Sequence, residues 1–222
     1  MSAVALMTFT YAQAQTTTTT NRTTFGIRGG VNFQNTTGKY GDGSKMTNNL
    51  TPTFNGGVNV EIPVAKDFYI QPGVLFTVKG AGYDKSVGQT YDSKLHLSYI
   101  EIPANLVYKP LLGTGHLIAG FGPYVDFGIG GKIKYDGDGA PSDKDVTFTN
   151  NVGTSDSNGD AYYRRVGAGA NVFFGYEFAN KLSFQLNTDL GLTNINPDYD
   201  ALPDSKYKEK HVGFGISAGY RF

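Results

Sequence analysis

The chain has 222 residues, with 30 Gly, 15 Tyr, 15 Phe and no Cys, and its 19 lysine and arginine residues balance 19 aspartate and glutamate residues. This balance argues against a nucleic-acid partner, which would require a basic patch, and the lack of cysteine excludes thiolate zinc sites and disulfide scaffolds. No apolar run reaches the roughly 18 residues of a membrane helix, so a chain like this one that crosses a bilayer must do so with strands.

The N-terminal residues are typical of a secretory signal peptide. The apolar stretch 3–11 precedes Ala12-Gln13-Ala14, which has the small-x-small pattern of a cleavage site. A basic n-region is missing, so an ordinary disordered N-terminus stays open beside a signal peptide truncated at its start. We expect residues 1–14 to be the signal and residues 15–24, with five consecutive threonines, to be a disordered leader.

Alternation of apolar with small or polar residues follows the leader and predicts β-strands. The pattern is clearest over residues 211–222, where Val212, Phe214 and Ile216 fall on one face and three glycines fall on the other. A helix would distribute these apolar residues around its axis, and each glycine would cost it about 1 kcal/mol relative to alanine. The same pattern predicts eight strands, at residues 25–34, 54–62, 68–79, 95–108, 117–129, 165–174, 182–192 and 211–222.

The connections between the predicted strands alternate in length. Outer-membrane barrels show this asymmetry, with short periplasmic turns and long external loops. Strands of about 10 residues, tilted near 40°, also span the roughly 25 Å apolar band of such a barrel. The pattern therefore predicts an all-β fold, an eight-stranded antiparallel up-and-down transmembrane β-barrel over residues 25–222. Its long loops are predicted at residues 36–49, 80–93, 131–160 and 193–208.

A soluble barrel of the lipocalin type alternates in the same way but buries its apolar face. Residue size favours the membrane barrel, because the face opposite the Phe, Leu and Ile residues is mostly Gly, Asn and Ser. Small polar residues fit the crowded interior of eight strands, whereas a glycine-rich face would hold strands poorly in water. Pro72, Pro103 and Pro123 lie inside predicted strands, where we expect β-bulges.

Four segments resemble the PorT-like family of outer-membrane β-barrels. They are Phe68-Tyr69-Ile70-Gln71-Pro72-Gly73-Val74-Leu75-Phe76 with Lys79-Gly80, Tyr99-Ile100-Glu101-Ile102-Pro103 with Tyr108-Lys109, Ala119-Gly120-Phe121-Gly122-Pro123-Tyr124, and Gly219-Tyr220-Arg221-Phe222. The Tyr-x-Glu-Ile-Pro segment is the most specific of them, and the resemblance covers residues 24–222.

This resemblance implies an eight-stranded barrel in the outer membrane of a Gram-negative bacterium, with periplasmic termini. It also implies insertion by the barrel-assembly machinery, which would read Phe222 as the assembly signal. The family's roles are mostly unknown, although one member is linked to protein secretion. The fold therefore carries over from the family and the function does not.

Two groups of residues invite a chemical interpretation. His96 and Ser98 are two apart on the fourth predicted strand, and an outer-membrane lipid hydrolase would need histidine and serine presented together. A third orienting group is lacking, and surface positions near a loop explain this pair as well. Asp136-Gly137-Asp138-Gly139 and Asp156-Ser157-Asn158-Gly159-Asp160 carry oxygen ligands suited to calcium, but neither has EF-hand spacing, and plain turns use the same residues. We predict no catalytic residues, metal site or cofactor.

We expect charged side chains in the lumen to form pairs, because an isolated buried charge is costly. Counting residues from the periplasmic turns places Asp126, Arg165 and Asp189 at similar heights on neighbouring strands, all pointing inward. Arg165 is therefore predicted to lie between the two carboxylates in bidentate geometry. Arg28 and Glu61 form the second predicted pair, nearer the periplasmic end.

The favoured function is that of a non-enzymatic outer-membrane barrel with a filled lumen, serving envelope structure, adhesion or the docking of partners, including those of protein secretion. The expected partners are outer-membrane lipid, the barrel-assembly machinery, and an envelope or extracellular protein bound through the four long loops. One alternative is an outer-membrane enzyme acting on lipid or lipopolysaccharide. A small diffusion pore is a weaker one, since an eight-stranded lumen is normally filled.

Overall fold

The computed structural model describes residues 22–39, 43–46, 48–84, 90–153, 161–200 and 208–222. The predicted signal peptide and most of the predicted leader lie outside these residues. No helix within the described ranges is long and apolar enough to cross a membrane. The long strands are β1 (Thr24–Lys39), β2 (Thr51–Ala65), β3 (Phe68–Tyr83), β4 (Tyr91–Tyr108), β5 (Gly115–Gly137), β6 (Val166–Glu177), β7 (Leu182–Gly191) and β8 (Lys208–Arg221).

These eight strands form one closed ring in which every pairing is antiparallel. Each strand pairs with its neighbours along the chain, and β8 pairs with β1 to complete the circle. The predicted all-β, up-and-down barrel is confirmed. Short strands decorate it at Leu111–Leu112, Lys144–Phe148, Asn151–Val152, Ala161–Tyr163 and Asp198–Tyr199.

The two faces of the strands are sorted as the alternation predicted. On β8, Phe214 and Ile216 are 50 % and 56 % exposed on the outside, whereas Ser217 is 2 % exposed and faces the lumen. The same division holds around the ring. Exposed apolar side chains on the outside include Phe25, Val31, Phe54, Phe121, Val172 and Leu186, and buried polar ones on the inside include Asn32, Gln34, Gln71, Asn105, Asn171 and Asn187.

The two ends of the barrel differ in their connections. One end, here the turn end, carries the connections at residues 66–67, 109–114 and 178–181 together with Thr24 and Phe222. Tight turns there use positive φ at Asp67 (62°) and Lys181 (67°). The opposite end, the loop end, carries the four longer connections.

The strands at the loop end are longer than expected, so three predicted loops begin inside strands. β1 runs to Lys39, β3 to Tyr83 and β5 to Gly137, whereas loops were predicted from residues 36, 80 and 131. Beyond Phe127, which pairs with β6, β5 stays paired with β4 up to Gly137. The open end of the β4–β5 hairpin, opposite its turn at residues 109–114, therefore projects past the ring.

A small apolar cluster explains why this projecting hairpin is ordered. Leu95, Leu97 and Tyr99 are buried on its inner face, against partly buried neighbours from the short strands. Those neighbours include Val146, Phe148 and Tyr163. Ile133 and Tyr135 still alternate with Lys132 and Lys134, as in a strand. Because lysines replace the apolar residues on the outer face, the sequence predicted a loop at these residues.

The expected bulges at the three prolines are not found. The register of β3 with β4 is unchanged across Pro72 and Pro103, although the ladder lacks pairs between Pro72–Ala104 and Leu75–Glu101. Proline has no N–H to donate, so the ladder loses pairs there without gaining a residue. Register shifts occur instead between Pro63 and Ala65 and between Ser98 and Tyr99.

Candidate functional site

The lumen near the loop end is built around Lys79, which projects inward from β3 and is fully buried. Its ammonium nitrogen lies 2.8 Å from a carboxylate oxygen of Glu101 and 2.8 Å from one of Asp126. It also lies 4.0 Å from the centre of the Tyr124 ring, within the range of a cation–π contact. One cation and two carboxylates thus form a buried ion triad across three strands.

Glycines on β6 make room for the large side chains of this triad. A Cβ atom at Gly167 would overlap the Asp126 carboxylate, and one at Gly169 would overlap the Tyr124 phenol. Glycine is needed here because β6 passes directly behind these side chains. The glycine-rich inner face therefore serves as the counterpart of the bulky lumen residues on β5.

The middle of the lumen is filled by amide side chains. Asn32 Oδ1 accepts hydrogen bonds from Asn55 Nδ2 at 2.9 Å and from Asn187 Nδ2 at 3.2 Å. Ser217 donates to Asn187 Oδ1 at 3.1 Å. These four side chains come from four consecutive strands of the ring, β7, β8, β1 and β2, so the network links the strands on both sides of the β8–β1 pairing.

A second charged cluster closes the turn end of the lumen. The Glu61 carboxylate lies 2.9 Å from Lys109 Nζ and 2.7 Å from an Arg221 guanidinium nitrogen, and it accepts a hydrogen bond from Gln71 at 3.0 Å. Lys109 also lies 2.9 Å from Glu177. Two cations and two carboxylates are therefore balanced at this end.

The predicted pairing of Arg165 with Asp126 and Asp189 is not formed within the described residues. Arg165 is exposed and precedes β6, which begins at Val166, so the alternation that would turn it inward no longer applies. Lys79 takes its place at Asp126. Asp189 instead accepts a hydrogen bond from Gln34 at 3.4 Å.

Arg28 and Glu61 are both on the lumen side but are not partners. Glu61 stands opposite Thr24 in the β1–β2 register, four residues from Arg28, which is about 13 Å along a strand. The carboxylates whose charges act on Arg28 are those of Asp189 and Glu101. Glu61 is bound by Lys109 and Arg221 instead.

Sequence reasoning missed Lys79 and Lys109 as lumen cations, although a signal for both was present. Lys79 has the same strand parity as the inward-facing Gln71 and Thr77, and Lys109 has that of Asn105 and Val107. Each lysine was assigned to the end of its strand or to the following connection. The alternation over the predicted strand 68–79 already turned Lys79 inward, and extending the predicted strand 95–108 by one residue would have turned Lys109 inward as well.

A cavity of about 10 Å³ remains near the loop end of the lumen, lined among others by Tyr124, Asp126, Ile195 and His211. This volume is about that of one water molecule. Ile195 is 5 % exposed, and its N–H donates to the Glu209 carbonyl at 2.9 Å. The segment that follows β7 therefore lies between Arg164 and the start of β8 and lines the cavity at this end of the lumen.

His96 and Ser98 lie next to each other on the outer face of β4, because residues two apart on a strand share a face. His96 Nδ1 has no hydrogen-bond partner among the described residues. Among the described residues, no carboxylate thus holds Nδ1 of this imidazole in the way that the base of an activated serine is held.

Of the two acidic segments, 136–139 lies where β5 ends at the loop end and 156–160 lies outside the described residues. Gly137 and Gly139 have φ values of 136° and 71°, and Ala140 N–H donates to the Gly137 carbonyl at 3.3 Å. This geometry is that of a turn. No group of three or more acidic or histidine residues within the described ranges could hold a metal ion.

Phe222 follows β8 and is 61 % exposed. Its N–H donates to the Phe25 carbonyl at 2.8 Å, and its ring makes an edge contact with Tyr220 at 5.3 Å between centroids. The residue therefore lies on the outer surface at the seam between β8 and β1.

Comparison with known protein families places this chain among outer-membrane proteins. A family model described as "Outer membrane protein beta-barrel domain" matches residues 11–196. A search of curated proteins found no match.

Solved structures similar to this chain include three outer-membrane proteins. Ail, the attachment invasion locus protein of Yersinia pestis, solved with the heparin analogue sucrose octasulfate, is 17 % identical, with 90 % of this chain and 99 % of that chain covered and a TM-score of 0.40. OprG of Pseudomonas aeruginosa is 14 % identical, with 90 % and 95 % covered and a TM-score of 0.39. A major outer membrane protein of Thermus thermophilus is 16 % identical, with 90 % and 99 % covered and a TM-score of 0.45.

Proposed function

Because this chain belongs to the outer membrane protein beta-barrel domain family, we propose that it is a non-enzymatic, non-conducting barrel that presents its loop end to partners outside the cell. In this proposal the termini are periplasmic and the four long connections are external. The segments shared with PorT-like proteins support placing the chain in that narrower group. The partners would then be envelope or extracellular proteins, those of a secretion system among them.

The filled lumen is the observation that carries this proposal. Two ion clusters and an amide network occupy successive levels, and the triad at Lys79 is excluded from solvent. An ion passing through the lumen would have to separate buried ion pairs. Removing one partner from such a pair destabilises a protein by about 3–5 kcal/mol. A scaffold role needs no such passage.

The rigid hairpin beyond the ring supports the docking role. Residues 128–137 of β5 remain paired with β4 and rest on the apolar cluster of Leu95, Leu97 and Tyr99. An ordered projection presents its side chains to a partner at a lower entropic cost than a flexible loop does. We infer that this hairpin and the short strands beside it form the docking surface.

Planar-bilayer recording tests the proposal. Protein refolded in detergent, and shown by its heat-dependent gel mobility to be folded, should insert without steady ion-conducting steps. A matched wide porin inserted under the same conditions serves as the positive control. Stable single-channel steps from the purified protein would contradict the filled-lumen role and favour the diffusion pore.

A further inference from the structure

Four lysines form a basic row on the outer surface at the loop end of β1 and β8. Lys39 stands directly opposite Lys208 in the β1–β8 register, and an isolated bridge places Lys45 opposite Lys39 on its other side. Lys210 pairs with Thr37, one step lower on the same face. We call Lys39, Lys45, Lys208 and Lys210 the lysine row. Within the described residues none of the four forms an ion pair with a carboxylate.

Like charges directly opposite one another on adjacent strands repel. Glu209, the described acidic residue between Lys208 and Lys210, does not relieve this repulsion, because it points inward, is 1 % exposed and accepts a hydrogen bond from Tyr83 at 2.9 Å. Among the described residues, the lysine row therefore carries positive charge on the outer wall that no carboxylate pairs with.

The β4–β5 hairpin provides an internal comparison. Lys94 and Lys134 are also opposite each other there, but the next pair on the same face is Asp92 with Asp136. Lys132 forms an ion pair with Asp145 at 3.6 Å. Lysines on the hairpin are thus interleaved with carboxylates on the same face, whereas the described part of the lysine row has no carboxylate on its outer face.

The surface below the lysine row is apolar. Phe33 and Phe214 pair on the same outer face and stack with ring centroids 5.5 Å apart. Val31 and Ile216, the next pair towards the turn end, are 50 % and 56 % exposed. Phe214 lies four positions after Lys210, about 13 Å along the strand. The wall therefore changes from cationic to apolar over a distance that matches a lipid headgroup and the start of its acyl chains.

We propose that the lysine row binds the phosphate groups of a membrane lipid that carries more than one phosphate, in the leaflet at the loop end. Its acyl chains would lie against Phe33, Phe214 and Ile216. Lysine ammonium groups are suited to phosphate as strongly hydrated point charges, and several opposed lysines favour a headgroup with several phosphates. This site depends on the apolar wall lying in the membrane, and not on the proposed filled lumen or docking role.

Titration with matched lipids tests the site. The purified barrel in neutral detergent is titrated with diphosphorylated lipid A and with the same lipid after removal of both phosphates, and binding is followed by native mass spectrometry. The wild type should bind the diphosphorylated lipid at least about tenfold more tightly. The double variant K39Q/K208Q should lose about tenfold or more of that affinity, and the control K132Q/K134Q less than about twofold.

Further measurements exclude a general effect on folding. Heat-dependent gel mobility checks that each variant folds, and K45Q/K210Q replaces the first variant if that one does not. Without lipid, K39Q/K208Q should unfold at the same or a higher temperature than the wild type, since a repulsion is removed. Equal binding of the dephosphorylated lipid, equal losses in row and control variants, or an equal rise in unfolding temperature with inorganic phosphate alone would each overturn the proposal.

Discussion

Lys79 is enclosed by groups that each offset part of the cost of burying an ammonium ion. Two carboxylates lie 2.8 Å from its nitrogen, and the Tyr124 ring lies 4.0 Å away. Burial of an unpaired charge would be far more costly than burial of this triad. The triad therefore depends on all three of its charged members being present together.

Replacing Lys79 with methionine should lower the free energy of unfolding by about 3–5 kcal/mol, because Glu101 and Asp126 are left buried without their cation. Thermal unfolding in detergent measures this. The exposed controls Lys134→Met and Arg165→Met should change stability by no more than about 0.5 kcal/mol. Adding Glu101→Gln and Asp126→Asn to Lys79→Met should restore part of the loss. A Lys79→Met protein as stable as wild type would contradict the role of the triad.

Sequence reasoning recognised that lumen charges must pair, and it placed Asp126 and Asp189 inward, but it chose the wrong cation for Asp126. Successive residues of a strand point to opposite faces, so the alternation in the sequence predicts which face a residue occupies. Height in a tilted barrel depends also on the shear between strands. Lys79 reaches Asp126 from β3 across the intervening β4. Counting along neighbouring strands could not reveal that contact.

At the scale of elements, the β4–β5 hairpin shows where alternation stops being informative. Within the apolar band each strand was located from its sequence because one face is lipid-like and the other small and polar. Above the band, Lys132 and Lys134 face outward where phenylalanine and isoleucine stood below. Leu97 and Ile133 still face inward and pack in the apolar cluster, so the strands continue here. Both faces now carry side chains unlike those of the membrane band, so the alternation no longer identifies a strand from the sequence.

Cysteine labelling tests the orientation of this hairpin, and the chain's lack of cysteine makes the result unambiguous. Asp138 is exposed just after β5 at the loop end, and Lys66 is exposed in a turn at the opposite end. On intact cells, a membrane-impermeant maleimide should label Asp138→Cys and leave Lys66→Cys unlabelled, because the loop end is proposed to be external. Both sites should react after the outer membrane is permeabilised. Labelling of Lys66→Cys alone on intact cells would reverse the proposed orientation.

At the scale of the whole molecule, closure of the ring depends on the seam between β1 and β8. The register pairs Gly26 with Arg221 at the turn end and continues without a shift to Lys39 and Lys208. The order of pairing follows chain order everywhere except at this seam. Each of the other strand pairs joins strands that are consecutive in the chain and can form locally. The seam instead joins strands from opposite ends of the described chain, so its pairing carries the largest entropic cost of loop closure.

Phe222 lies at the turn end of this seam and should affect assembly more than stability. The exposed ring contributes an edge contact with Tyr220, and the backbone hydrogen bond to Phe25 survives a side-chain change. Phe222→Ala refolded in detergent should therefore lose no more than about 1 kcal/mol. In cells, the same variant should accumulate unassembled, because the residue resembles the signal read by the barrel-assembly machinery, and Phe222→Tyr should assemble normally. Comparing outer-membrane levels with the unfolding temperature of refolded protein separates the two effects. Normal outer-membrane levels of Phe222→Ala would contradict the role of Phe222 as the assembly signal. A large loss of stability in detergent would show instead that the Phe222 ring stabilises the seam between β8 and β1.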